Sequence, residues 1–120
     1  MDKIALTVLL SDTSWVQRSK WAGPYHTAIE AISARNYDLA IAFLKQAVAA
    51  DPTAETRKLI SGVDCIDYNP YYYLGVAHLE LGLHDKARVY FQEARTNLPQ
   101  ALQPSLNRYE HRLQTSVAAA

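Results

Sequence analysis

Two short blocks of small and apolar residues, 47 positions apart, constrain the fold of this chain more than any other feature of its sequence. The blocks read Ala40-x3-Leu44-x2-Ala47 followed by Pro52, and Ala87-x3-Phe91-x2-Ala94 followed by Pro99. Residues three and four apart lie on one face of a helix, so each block predicts a helix with a closely packed stripe. Repetition at a spacing of some tens of residues is typical of proteins in which one helical unit stacks on the next.

Prolines and polar cap residues divide the 120-residue chain into segments of helical length. Asn69 before Pro70 is a natural N-cap, and Pro24 suits the first turn of a helix. Pro52 and Pro99 follow segments in which the helical pattern ends. Apolar residues recur at helical spacing in five segments, 24–34, 37–49, 70–81, 85–97 and 105–117. The sequence therefore predicts an all-α protein.

Two segments lack a clear helical pattern. Residues 3–10 show a brief alternation of apolar side chains with no second strand to pair with, and we expect 1–20 to form an N-terminal arm or helix packed on the first helical hairpin. Over 53–68 we expect two turns of helix ended by Gly62, followed by a loop that carries Asp64, Cys65 and Asp67.

The second half of the chain resembles the tetratricopeptide repeat family. The family pattern is Trp-x2-Leu-Gly-x2-Tyr on one helix, Ala-x3-Phe on the next, and then Pro. This chain has Tyr71-x2-Leu74-Gly75-x2-His78, then Ala87-x3-Phe91 and Pro99. The first half keeps the pattern on its second helix and departs from it on its first, which reads Pro24-x2-Thr27-Ala28-x2-Ala31.

The resemblance predicts stacked helical hairpins, a fragment of an α-α superhelix, in one domain over 21–120. The repeats would cover about 21–54 and 68–101, with a connecting insertion at 55–67 and a capping helix at 105–118. The cap would cover the second hairpin with Leu106, Tyr109, Leu113 and Val117. Gly75 would let two helices approach closely, and Phe91 would fill the space between hairpins.

The resemblance also implies a groove lined by the first helix of each repeat. Its positions in this chain are Tyr25, Ile29, Ile32, Ser33, Tyr72, Val76, Leu79 and Glu80. An apolar and aromatic groove predicts a peptide or an amphipathic helix as ligand. The alternative is that residues 1–20 or 53–68 already occupy the groove. Relatives that grip a C-terminal carboxylate carry Lys and Asn where this chain has Tyr25 and Ile29, so we do not expect that binding mode.

We interpret the chain as a protein–protein interaction module or scaffold, whose partner is a protein, a peptide or a second copy of itself. The alternative is a structural role, in self-association or in docking within a larger bacterial protein. Twelve basic residues balance twelve acidic ones and are spread evenly, which argues against a nucleic-acid partner. No apolar run approaches the ~20 residues needed to cross a membrane, so we expect no membrane insertion and a cytoplasmic location.

The sequence contains no recognisable catalytic arrangement, and we predict neither enzyme activity nor a cofactor. The histidines, His26, His78, His84 and His111, lack the spacing of metal ligands, so we predict no metal site. His78 is expected to fill a packing position. Cys65 is the only cysteine, which excludes an internal disulfide, fits a reducing compartment and predicts a buried, inert thiol.

Overall fold

The computed structural model describes residues 19–61 and 64–119. Within these ranges the chain forms five α-helices and one pair of strands. The elements are α1 (Ala22–Ser33), α2 (Tyr37–Ala50), β1 (Glu55–Ser61), β2 (Asp64–Tyr68), α3 (Pro70–Glu80), α4 (His84–Ala94) and α5 (Gln103–Ala119). The predicted helical-hairpin architecture is confirmed. The predicted arm or helix over 1–20 lies almost entirely outside the described residues.

The two helical hairpins, α1–α2 and α3–α4, turn in the same way. In the first turn, backbone N–H groups of Arg35 and Asn36 donate to the carbonyls of Ile32 and Ala31, at 2.9 and 2.8 Å. In the second, Gly82 and Leu83 donate to Leu79 and His78 at the same two distances. Arg35 and Gly82 are both left-handed, with φ of 61° and 80°. The first hairpin therefore repeats the backbone geometry of the second, although the sequence of α1 departs from the repeat pattern.

Small residues at repeated positions bring the helices together. The alanines of both blocks are fully buried, and so are the large side chains between them, Leu44 and Phe91. A Cβ atom built on Gly75 would lie 2.5 Å from two ring atoms of Phe91, far inside van der Waals contact. The expectation that Gly75 marks a close helix approach is confirmed.

The last helix covers the second hairpin. Leu106 and Leu113 of α5 are buried against α3 and α4, and Tyr109 is half-buried between them. Two ion pairs hold the helix at its polar edges: Arg112 with Glu80 at 2.9 Å, and Arg95 with Glu110. The side chain of Val117, expected on the same stripe, lies outside the described residues.

The segment between the two helical hairpins is an antiparallel β-hairpin, so the predicted helical turns and loop over 53–68 are wrong. Lys58 pairs with Ile66 and Leu59 with Cys65. The ladder is irregular before Lys58, where Arg57 has a φ of 55° and donates its N–H to Asp67 Oδ1 at 2.9 Å. Cys65 is exposed on β2, so its expected burial is also wrong.

Lys58 explains why this segment is extended. Its ammonium group is nearly buried and donates to Asp51 Oδ2 at 3.0 Å and to the Thr53 carbonyl at 3.2 Å. It also lies 5.5 Å from the ring centre of Trp21 and 5.6 Å from that of Tyr68. A buried charge must be paired, and these partners come together only when the strands fold back over the end of α2. Contacts between such distant residues produce no periodic pattern in the sequence, so periodicity could not predict the strands.

Candidate partner-binding surface

Asn69 joins the helices on which the predicted surface is built. Its Oδ1 accepts a hydrogen bond from the Tyr72 N–H at 3.1 Å, which caps α3 as predicted. Its Nδ2 donates to the Ala94 carbonyl at 2.7 Å, and its backbone N–H donates to the Tyr25 hydroxyl at 3.2 Å. Asn69 is fully buried, so these bonds fix α1 and the end of α4 against the start of α3.

A chain of aromatic rings runs from the start of α1 to α5. Successive ring centres lie 4.6 to 6.2 Å apart, within the range of favourable aromatic pairs. In order, the rings are Trp21, Tyr68, Tyr25, Tyr73, Tyr72 and Tyr109. Tyr71, which precedes Tyr72 on α3, is not part of this row of rings and donates its hydroxyl to the Pro52 carbonyl. The consecutive tyrosines thus point in different directions, as helical geometry requires.

Burial raises the pKa values of the central tyrosines in this row of aromatic rings. Desolvation, reinforced by the neighbouring Tyr73, raises the pKa of Tyr25 far above its ordinary value. Desolvation and the nearby Tyr109 raise the pKa of Tyr72 to about 12. These phenols serve as packing and hydrogen-bonding groups near neutral pH.

The eight residues predicted to line a groove lie at different depths. Four of them are at most 5% exposed: Tyr25, Tyr72, Val76 and Leu79. The last three belong to the cluster that contains Leu106 and Leu113 of α5, so α5 covers this part of α3. Ile29 and Ile32 are half-buried, while Ser33 and Glu80 are exposed. The eight side chains do not form one open groove.

The accessible part of this surface lies along α1 and α3. Ile32 packs against both hydrophobic clusters of the protein, so it sits at the junction of the two helical hairpins. Tyr73 is half-buried and packs against the same two clusters. Around these residues, Ser33 donates its hydroxyl to the Ile29 carbonyl at 3.2 Å, and Glu80 is held by Arg112. We call Ile29, Ile32, Ser33, Tyr73 and Glu80 the α1–α3 face.

Tyr73 was not among the predicted groove residues. Its neighbour Tyr72 occupies the repeat position assigned to the groove, but α5 covers Tyr72 and leaves Tyr73 beside α1. The edge-to-face contact of Tyr73 with Tyr25, with ring centres 5.7 Å apart, depends on how closely α1 and α3 approach. The sequence signal available was the triple tyrosine itself, which presents a ring to each side of the helix.

Within the described residues, no three His, Cys, Asp or Glu side chains are placed to hold a metal ion together. His78 is buried, with Nδ1 2.7 Å from the Leu74 carbonyl and its ring 5.0 Å from that of Tyr90, which confirms its packing position. His26 lies 3.6 Å from Glu30 on the outer side of α1. Of the helices in the described ranges, none has the length and apolar character needed to cross a membrane.

The fold and this surface define a protein built from helical-hairpin repeats. A family model described as "Tetratricopeptide repeat" matches residues 68–94, which include α3 and α4. This match, which covers one repeat, confirms the resemblance deduced from the second hairpin. No curated protein and no solved structure matches the chain. Tetratricopeptide repeats generally mediate protein–protein interactions and are typically non-catalytic.

Proposed function

We propose that this protein is an interaction module that binds an apolar segment of a partner protein, as a peptide or a helix, through the α1–α3 face. The observation that carries the proposal is the partial exposure of three large side chains, Ile29, Ile32 and Tyr73, where the two helical hairpins meet. Tyr25, Tyr72, Val76 and Leu79 form the buried layer that holds this face in shape. On this proposal the chain is a binding module and not an enzyme, and its partner is not a nucleic acid.

The chemistry of the face favours an apolar ligand. The one carboxylate in it, Glu80, is neutralised by Arg112 at 2.9 Å. Two branched aliphatic side chains and one aromatic ring provide the contact area, and aromatic rings are among the usual anchors of protein interfaces. Affinity should therefore change little between low and high salt, because few charges are involved.

The test uses peptides selected from a random library on the purified protein, with affinities measured by fluorescence polarisation. Replacing both Ile29 and Ile32 by Ala should weaken binding roughly tenfold or more, since each loses part of a buried aliphatic contact. The matched control is Ile41→Ala, which truncates a half-buried isoleucine on α2. Peptides that bind all three proteins equally, or whose binding is lost in high salt, would place the site elsewhere. Tyr72→Ala is unsuitable here because Tyr72 lies beneath α5 and its loss would disturb the fold.

Exposed apolar side chains outside this face support a second candidate function, self-association. Leu59 on β1 is 64% exposed and Val89 on α4 is 65% exposed. Light scattering after size exclusion, over a wide range of concentrations, distinguishes the two functions. A dimer dissociated by Leu59→Asp or Val89→Asp would favour the structural role, whereas a monomer at all concentrations would favour the binding module.

A further inference from the structure

A cleft separate from the α1–α3 face opens between α2, α3 and α4. Its volume is about 330 Å³, at the lower end of the range for small-ligand sites. The lining residues are Lys45 of α2, His78 of α3, and Asp85, Lys86, Val89 and Tyr90 of α4. Four of the six come from α4 and one from α2, the second helices of the two hairpins, whereas the proposed protein-binding face lies on the first helices.

His78 is the unusual member of this cleft. It is 3% exposed, and its Nδ1 donates to the Leu74 carbonyl at 2.7 Å in the neutral tautomer that this contact favours. Its other ring nitrogen, Nε2, has no hydrogen-bond partner among the described residues, and it is not enclosed by them either. His78 is thus a nearly buried member of the cleft lining, and its Nε2 is unpaired among the described residues.

The charges around Nε2 are mostly positive. Lys45 and Lys86 approach from α2 and α4, and both are exposed. Together with desolvation, their charges keep the pKa of His78 below its ordinary value. Asp85, the only carboxylate among the described lining residues, is paired with Arg88 at 3.0 Å. Tyr90 lies against the His78 ring and, with Val89, forms the apolar wall.

We infer that this cleft binds a phosphoryl group or a similar dianionic oxyanion, with Lys45 and Lys86 contributing two ammonium donors and His78 Nε2 a third. On binding, His78 takes one proton from solvent at Nε2, so that an imidazolium and two ammonium groups face two negative charges. A monocarboxylate has one charge for these three donors and matches the site less well. The apolar wall of Val89 and Tyr90 would contact the carrier of the phosphoryl group.

The experiment titrates the protein with sodium sulfate and follows the His78 ring by NMR at pH 6 and pH 8. Sulfate remains a dianion throughout this range, so any pH dependence comes from the protein. Binding should be saturable, several-fold tighter at pH 6, and accompanied by a rise in the apparent pKa of His78, because the bound dianion stabilises the imidazolium. Acetate should bind much more weakly.

Variants assign the effect to the cleft. Lys45→Gln and Lys86→Gln should each weaken sulfate binding about two- to fivefold, and the double variant should abolish saturation. The control is Lys20→Gln, an exposed lysine before α1 that should leave binding unchanged. His78→Tyr, which places the ring of the repeat pattern at this position, should retain the fold and remove the pH dependence.

Inorganic phosphate and a short phosphoserine peptide distinguish the sources of the ligand. A peptide that binds at least tenfold more tightly than free phosphate would identify a phosphorylated protein, and equal affinities would identify the free anion. If sulfate at about 10 mM, roughly tenfold above a millimolar Kd, produced no saturable change in the NMR signals of the His78 ring, the site would be overturned. An equal loss of sulfate affinity in Lys20→Gln and Lys45→Gln would also overturn the site, and so would acetate binding as tightly as sulfate.

Discussion

Position 75 has no side chain because Phe91 leaves no space for one. The ring of Phe91 is fully buried, so it cannot move away from an added methyl group without disturbing Leu106 and its other neighbours. Glycine within a helix costs about 1 kcal/mol relative to alanine, and the close approach of α3 and α4 is what offsets this cost.

Gly75→Ala should therefore lower the free energy of unfolding by about 1 kcal/mol or more, although alanine favours the helix, since overpacking typically costs about 1–3 kcal/mol. Urea unfolding followed by circular dichroism is the measurement. In a Phe91→Leu background the same substitution should cost less, because the smaller side chain relieves the contact. Unchanged or increased stability in the Gly75→Ala protein would mean that the helices do not meet closely at this residue.

Equivalent turn positions 35 and 82 are occupied by different residues in the same left-handed conformation. Arg35 carries the steric cost of a Cβ atom, roughly 1–2 kcal/mol, and Gly82 does not. Arg35→Gly should stabilise the protein by about 0.5–1 kcal/mol, and Gly82→Ala should destabilise it by a similar amount, in chemical denaturation. Position 82 is not crowded at the added atom, since no heavy atom lies within 4 Å of a Cβ built on Gly82. If both substitutions change stability in the same direction, the two turns are not structurally equivalent.

The β-hairpin is the element that departs most from expectation. Its strands are short, their pairing is irregular, and their contacts depend on residues far along the chain. The Tyr68 hydroxyl donates to the Asp51 carbonyl at 2.7 Å, and Lys58 is enclosed by Asp51, Trp21 and Tyr68. The β-hairpin thus covers the end of the first helical hairpin, close to Asn69 and its hydrogen bonds.

The ion pair of Lys58 and Asp51 predicts how the hairpin responds to acid. Desolvation raises the pKa of Asp51, but the hydrogen bonds from the Thr53 N–H and from Lys58 outweigh it and leave this pKa below its usual value. A carboxyl group with a lowered folded-state pKa stabilises the protein above its unfolded pKa, about 3.9, and this contribution is lost as pH falls through the folded pKa.

Asp51→Asn should therefore cost up to about 1 kcal/mol at pH 7, a modest value because the carboxylate is partly exposed. The difference from wild type should shrink as the pH falls below about 4. The measurement is urea unfolding of both proteins from pH 7 to pH 3. Asp85→Asn, which removes a fully exposed carboxylate paired with Arg88, is the matched control and should show a smaller difference than Asp51→Asn at pH 7. A difference for Asp51→Asn that persists at pH 3 would rule out the ion pair as its source.

Local sequence signals predicted the helices, whereas contacts between distant segments determined the strands and the burial of the predicted groove. The roles of the repeated alanines, the Asn69 cap and Gly75 could be predicted from the sequence because each acts within one helix or one repeated unit. The β-hairpin could not be predicted, since the burial of Lys58 requires Trp21 and Asp51, which lie at the ends of two helices. The burial of the Tyr72 side chain could not be predicted either, because it depends on where α5 packs.

The surface that remains after these contacts form is smaller than a groove of eight residues. Of the predicted side chains, Ile29, Ile32, Ser33 and Glu80 retain exposure, and Tyr73 joins them. The buried residues of the prediction support this face from below through the aromatic chain and the Asn69 bonds. A partner would therefore contact both helical hairpins at once, at the junction marked by Ile32.

Mapping of amide chemical shifts with a library-selected peptide locates the surface that binds the partner. The largest shifts should follow one line along α1 and α3, at Ile29, Ile32, Ser33, Tyr73 and Glu80. Val89 on α4 and Leu59 on β1 should remain unperturbed. Shifts concentrated on the β-hairpin or on α4, with the α1–α3 face unchanged, would contradict the proposed function.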